Sequence, residues 1–175
     1  MERLLVALDG SPHSDKALDV GADLAETYGA KLFLVHVMSS APLSLAEREL
    51  AAAEYADELA SWATERQRTG SPTGEDGGHD LLLHYRDLTH HFRRTMGNHL
   101  IAAAKRKLSG RNIDSIHVML ADGDPAETIV QLAKEKLADA VVIGSRGMSD
   151  LKSLFLGSVS HKVNHLAPCT CITVK

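Results

Sequence analysis

Five short, largely apolar runs, the first four each followed by a turn or a helix-like segment, constrain this chain more than anything else in it. They are Leu4-Leu5-Val6-Ala7-Leu8, Leu32-Phe33-Leu34-Val35-His36-Val37, Ile113 to Leu120, Ala140-Val141-Val142-Ile143 and Cys169 to Val174. Continuous apolar runs of this length are the mark of strands covered on both faces. Within the third, Ile116, Val118 and Leu120 alternate onto one face. Between the runs the period changes. Ala17, Leu18, Gly21, Ala22, Leu24 and Ala25 have helical spacing over 14–28, and Gly29 stops that helix as a C′ glycine. Asp124 is a suitable N-cap, Pro125 fits the first helical position and Glu127 the first turn of a helix to about Leu137. Another helix follows Ser158, and Pro168 enters the last strand, where a missing N–H is harmless. Strands alternating with helices predict an α/β, doubly wound parallel sheet.

Residues 39–112 are too many for a simple crossover. Leu45, Ala52, Ala56, Leu59 and Ala63 predict a helix from Leu45 to about Arg66. The composition of 69–78 predicts a loop. The helical period returns from about Leu82 to Leu108, with Leu88, Phe92, Met96 and Leu100 as its stripe. That stripe is either core packing or an interaction surface. The reading is a helical hairpin between strands 2 and 3, one arm covering the sheet, the other projecting or packing beside it. The 175 residues suit a single domain, 1–175, that carries this insert.

Composition removes several functions. Net charge is -4, which argues against a nucleic-acid surface, and aromatics make up only 4%, too few for base-stacking platforms. No apolar stretch approaches the roughly 18 residues of a membrane span. The N-terminus lacks a signal peptide's cleavage site, so the expected location is cytoplasmic. Cys169 and Cys171 share a strand face and read as two buried, reduced thiols. The histidines at 84, 90, 91 and 99 lack the i, i+3 or i+4 spacing of a metal pair and read as solvated or interface residues.

The chemistry concentrates after the fourth run. Gly144, Gly147 and Gly157-Ser158 make a G-x2-G-x9-G-S pattern that ends in a helix start. Glycines let a backbone approach a ligand, and the free N–H groups of a helix N-terminus favour an anion. There is no G-x4-G-K-[ST] and no G-x-G-x-x-G after a strand. In a doubly wound sheet the ligand lies beyond the strands' carboxyl ends, here between the first and fourth strands. Asp9, at the end of the first strand, is either a turn residue bonding its own loop or a carboxylate for ribose hydroxyls. Gly144 and Gly147 are either strand punctuation or a nest of N–H groups. Gly157-Ser158 is either a plain cap or a phosphate site, two roles that compete for the same donors. The nearby cations Arg146, Lys152 and Lys162 are either solvated surface charges or partners for a triphosphate, and Arg146 is the best placed of the three for the second role.

Six segments together resemble the universal stress protein (UspA-like) family. They are Val6-Ala7-Leu8-Asp9-Gly10-Ser11, Leu34-Val35-His36-Val37, Gly123-Asp124-Pro125-Ala126, Val141 to Gly147, Leu156-Gly157-Ser158-Val159-Ser160 and Ala167-Pro168-Cys169. The resemblance spans roughly 2–38 and 113–175, and the glycine pattern is the mark of the family's ATP-binding branch. It implies a five-stranded sheet in the order 3-2-1-4-5, ATP at the first and fourth strands with Mg or Mn on its phosphates, and a homodimer through the last strand. By position, Asp9 would meet the ribose and the backbone of Val37 the adenine. Gly144 would lie near the ribose, and Gly147, Gly157, Ser158 and Val159 near the phosphates. An insert at about 66–98 departs from the family pattern. The function so implied is a nucleotide-dependent switch or sensor that signals to a protein client. The alternatives are a binder of AMP or cyclic AMP, a slow ATPase, and an interaction module without nucleotide.

Overall fold

A computed structural model describes residues 1–39, 77–147 and 157–175, and scattered positions between 43 and 68; for 77–85 and 88 it describes the backbone alone. The chain divides into two compact units, residues 1–39 with 97–175, and residues 40–96. The first contains β1 (Arg3–Ala7), α1 (Pro12–Tyr28), β2 (Lys31–Met38), β3 (Ile116–Asp122), α3 (Pro125–Glu135), β4 (Ala140–Gly144), α4 (Ser158–Leu166) and β5 (Thr170–Val174). Helix α2 (Gly77–Leu108) begins in the second unit and ends in the first. The strands form one parallel sheet in the order β3-β2-β1-β4-β5.

The continuous apolar runs have a direct structural cause. Successive side chains of a strand point to opposite faces. Leu4, Val6 and Leu8 enter one core with Leu32, Leu34, Ala140 and Val142, covered by Ala17, Leu18, Ala22 and Ala25 of α1 and Ala104 and Leu108 of α2. Leu5 and Ala7 enter a second core with Val35, Val141 and Ile143, covered by Ala126, Ile129, Val130 and Ala133 of α3 and Val163 of α4. With helices on both faces, the central strands β1 and β4 are buried at nearly every position, and an alternating pattern there would bury polar groups without partners. The end of α2 is tied to α1 by charge. Lys107 Nζ pairs with Asp19 at 2.8 Å, and Arg111 with Asp23 at 2.6 Å and Glu26 at 2.9 Å. The side-chain bond from Arg111 and the backbone bond from Asn112 N hold the Glu26 carboxyl below its ordinary pKa.

Several boundaries differ from the expected ones. β3 starts at Ile116 instead of Ile113, because its ladder with β2 begins where Leu32 meets Ile116. α3 ends at Glu135, short of Leu137, whose φ of 51° lies outside the helical region. Gly77 and Gly78, expected in the loop, belong to α2. N–H groups of a first turn need no intrahelical partner, so glycine composition there does not end a helix. Cys169 lies just before β5, and both thiols are free but only half-buried, not buried. β5 is a sheet edge, so one of its sides lacks a neighbouring strand. The loop at 69–76, Lys152 and the motif positions 148–156 lie outside the described residues, as does most of the helix expected over 45–66. In the second unit Phe92 is buried and Met96 half-buried, whereas Leu100, in the first unit, packs on the core of α1. Among the described residues no helix is long and apolar enough to cross a membrane.

Candidate functional site

The sheet makes a notch at the carboxyl end of β1. Pairing of β1 with β2 ends at Ala7–Val35, while β2 continues against β3 as far as Met38–Asp122. On the other side β1 pairs with β4 up to Ile143, while β4 continues against β5 to Gly144–Val174. The central strand therefore stops first, between two strands that run on. Strand order reverses at this point, and ligands of doubly wound sheets lie in such a crevice. Val37 lies on the β2 side of the notch, half-buried, with its side chain packed on the second core. Gly144 to Gly147 lie on the other side.

The loop after β1 forms the floor. Ser11 N donates to Asp9 Oδ1 at 2.9 Å, an Asx turn, so the local-turn reading of Asp9 is realised. Asp9 is nevertheless exposed, and its Oδ2 lies 2.8 Å from where a Cβ on Gly147 would sit. The two residues are brought together, and only glycine at 147 leaves that carboxylate in place. Ser11 caps α1 by accepting from Ser14 N at 3.2 Å, and its hydroxyl donates to the carbonyl of Arg146 at 3.1 Å. Ser14 Oγ accepts from Asp9 N at 3.1 Å. The β1 and β4 loops are thus joined by a small hydroxyl network. Gly144 is buried against α1, where a Cβ would stand 2.8 Å from His13 C and from Ser14 N. Its lack of a side chain lets the first turn of α1 close on β4.

The glycine pattern closes through backbone bonds. Gly157 N donates to Ser145 O at 2.7 Å, and Ser145 N donates to Val174 O at 2.7 Å. Gly157 is the N-cap of α4 at φ -62° and ψ 150°, and it provides no side-chain cap bond. The first turn of α4 contains no acid. Ser158 is exposed there, and Val159 is half-buried against the second core. The backbone N–H groups at the start of a helix have no intrahelical acceptors. The plain-cap reading of Ser158 is therefore not what forms, since the N-cap is Gly157. The half-buried Arg146 takes part through its carbonyl, and Lys162 lies 3.9 Å from Asp124 Oδ2, an exposed pairing.

Other residues of the site had only faint sequence signals. Ser160, 2% exposed, donates its hydroxyl toward Ser145 O at 3.0 Å or Gly157 O at 2.9 Å. His36 Nδ1 lies 2.8 Å from Leu8 O, and because a carbonyl only accepts, that nitrogen carries the proton. The bond fixes the peptide just ahead of Asp9. A lone imidazole inside the apolar run of β2, and a second serine two residues after Gly157-Ser158, were the available clues. Among the described residues no three His, Cys, Asp or Glu side chains lie together as a metal site requires.

Comparison with known proteins gives a consistent picture. The profile described as "Universal stress protein family" matches residues 1–175. Universal stress protein YxiE of Bacillus subtilis is 32% identical over 173 residues, covering 99% of this chain and 98% of its own. Stress response protein NhaX of the same organism is 30% identical over 177 residues, again covering 99% and 98%. Among solved structures, universal stress protein UspA from Lactobacillus plantarum has a TM-score of 0.63 at 19% identity, covering 99% of this chain and 97% of its own. A universal stress protein in complex with cAMP has a TM-score of 0.61 at 21% identity, with coverage of 99% and 97%. The universal stress protein from Archaeoglobus fulgidus in complex with dAMP has a TM-score of 0.58 at 18% identity, with coverage of 100% and 98%. At these identities the structures share the fold.

Proposed function

The chain belongs to the universal stress protein family, and from that premise we propose that it binds an adenine nucleotide in the notch at the end of β1 and acts as a nucleotide-dependent switch. The observation that carries the reading is the bare N-terminus of α4. It has neither a side-chain cap nor an acid, and the Gly157–Ser145 bond brings it to the end of β4 beside the notch. Uncapped N–H groups and the positive end of the helix dipole suit phosphate oxygens. Gly147 and Arg146 adjoin the same place. Asp9 is exposed, with one oxygen beside Gly147, and is the carboxylate proposed to accept from ribose hydroxyls. Val37 offers its backbone to the base.

ATP is the nucleotide proposed, because the uncapped N–H groups of α4 and the Arg146 cation would together offset a triphosphate's charge. Mg or Mn would accompany it, held by phosphate oxygens with at most one or two carboxylates, in keeping with the reluctance of Mg to dehydrate. The cation would neutralise phosphate charge. The solved neighbours named with cAMP and dAMP favour a second reading, in which a monophosphate is the physiological ligand. In either case binding is the activity proposed, not turnover. Ligand contacts that differ between two states of the β4–α4 segment would shift their populations, the surface read by a protein client. β5 is a sheet edge with Cys171 to Val174 half-buried, which suits pairing with a second copy. The proposed location is the cytoplasm.

Mass spectrometry of small molecules released by denaturing the purified protein tests the reading. Recovery of ATP or of an adenine monophosphate supports it and separates the two versions. Absence of any adenine nucleotide, together with no change in Tm on adding ATP and Mg²⁺, contradicts it.

A further inference from the structure

We propose that Ser160 is a positioning residue for the nucleotide, acting through the backbone that its hydroxyl pins rather than by touching the ligand; this rests on the nucleotide-binding reading above. Ser160 is in the first turn of α4 and 2% exposed. Its Oγ lies 3.0 Å from Ser145 O and 2.9 Å from Gly157 O, and its single proton can go to either. Ser145 O already accepts from Gly157 N at 2.7 Å. With the hydroxyl on it, both lone pairs of that carbonyl are used. Donated to Ser145 O, that proton ties one end of the glycine pattern, the residue after Gly144, to the other, the first turn of α4; Gly157 O already accepts from His161 N at 2.9 Å.

The consequence lies in what those ends present. Ser145 continues to Arg146 and Gly147, the latter set against Asp9 Oδ2. Gly157 continues to the uncapped N–H groups of Ser158 and Val159. A bond between 145 and 157 therefore fixes the spacing between Gly147, with Asp9 beside it, and the N–H groups that open α4. Gly157 contributes its backbone N–H alone to this junction, and Ser158 is turned to solvent. Ser160 adds a side-chain bond, because its hydroxyl is buried behind the junction. A polar side chain so deeply buried is tolerated only when its hydrogen bonds are met, and both acceptors here belong to the junction. Removing the hydroxyl leaves the ends joined by the single Gly157–Ser145 bond. Apparent affinity falls in proportion to the fraction of molecules that keep the competent arrangement.

The experiment compares wild type, Ser160→Ala and Ser160→Thr, using calorimetric titration of ATP with Mg²⁺ and amide hydrogen exchange at Gly157 without ligand. Tm is followed to confirm that each variant folds. The expected result is a loss of about fivefold in affinity for Ser160→Ala, the equivalent of one hydrogen bond. Ser160→Thr, which keeps the hydroxyl, stays within about twofold of wild type. Exchange at Gly157 speeds up in the alanine variant alone. Equal ATP affinity of the alanine variant and wild type overturns the proposal, as does a threonine variant as weak as alanine. If wild type itself binds no adenine nucleotide, the nucleotide reading fails. The exchange arm then still decides the pin: faster exchange in alanine retains it, and equal exchange removes it.

Discussion

Two strand-to-helix junctions lie at the carboxyl ends of this sheet's strands and are built in opposite ways. β3 passes to α3 through Gly123 and Asp124 alone. Gly123 has φ 138°, a conformation that L side chains rarely adopt, and Asp124 Oδ1 accepts from Glu127 N at 3.0 Å. Pro125 opens the helix and Glu127 adds an acid to its first turn. That helix end is satisfied from within. β4 passes to α4 through residues 145–157, and the helix begins with a glycine, no cap bond and no acid. Stability alone would favour the first design at both places. A satisfied N-terminus stabilises the fold and has no further use for an anion, while an unsatisfied one gives up local stability and stays available to a ligand.

The largest effect expected concerns the packing that holds the β4 junction in place. Gly144→Ala puts a methyl 2.8 Å from backbone atoms of His13 and Ser14, which cannot yield as a flexible side chain would. A loss of about 1–3 kcal/mol is expected, read from the urea midpoint. Retention of wild-type stability would mean that α1 does not close on β4 as described. The next substitution makes α4 resemble α3. Ser158→Asp adds an acid to the first turn and should raise helix stability slightly, by about 0.3–1 kcal/mol. It should also weaken ATP binding roughly tenfold or more, through competition and like-charge repulsion. Opposite signs in the two readouts are the signature of a ligand site. A gain in stability with unchanged binding would break the contrast.

The converse change makes α3 resemble α4. Asp124→Ala removes a cap and should cost about 1 kcal/mol of stability, while nucleotide affinity stays within about twofold. Smaller still is the pH effect. Backbone bonds from Glu2 N and Arg3 N hold the Asp139 carboxyl below its ordinary pKa, and Arg111 followed by Asn112 N does the same for Glu26. Their stabilisation is present above the unfolded values, near pH 4, and is lost as pH falls through the lower folded values. Urea midpoints should drop between pH 5 and pH 3, about that range, and Asp139→Asn should flatten the drop. An unchanged slope in that variant would assign the acid sensitivity elsewhere.

Much of this was legible in the residues, for physical reasons that differ from place to place. The five strands were visible because helices cover both faces of the sheet and leave their interior positions no choice but apolar. Asp124, Pro125 and Glu127 announced α3 because caps act over three residues. The strand order came only with the family resemblance, since apolar runs do not say which neighbours pair. Gly144 was read as a ligand neighbour, and its clearest contact is with α1; a glycine does not reveal which atom approaches it. Ser160 and His36 entered only as members of family segments and not as site residues, because Ser145 O and Leu8 O, which they bond, are distant in sequence. The half-burial of Cys169 and Cys171 depends on β5 being an edge, which composition does not encode.

The most direct test of the central claim is calorimetric titration of ATP with Mg²⁺ into wild type and Ser158→Asp, with cAMP and AMP as parallel ligands. The account predicts saturable one-site binding of at least one of these by wild type and its loss or marked weakening in the variant. No heat with any adenine nucleotide, or identical binding by both proteins, would contradict it.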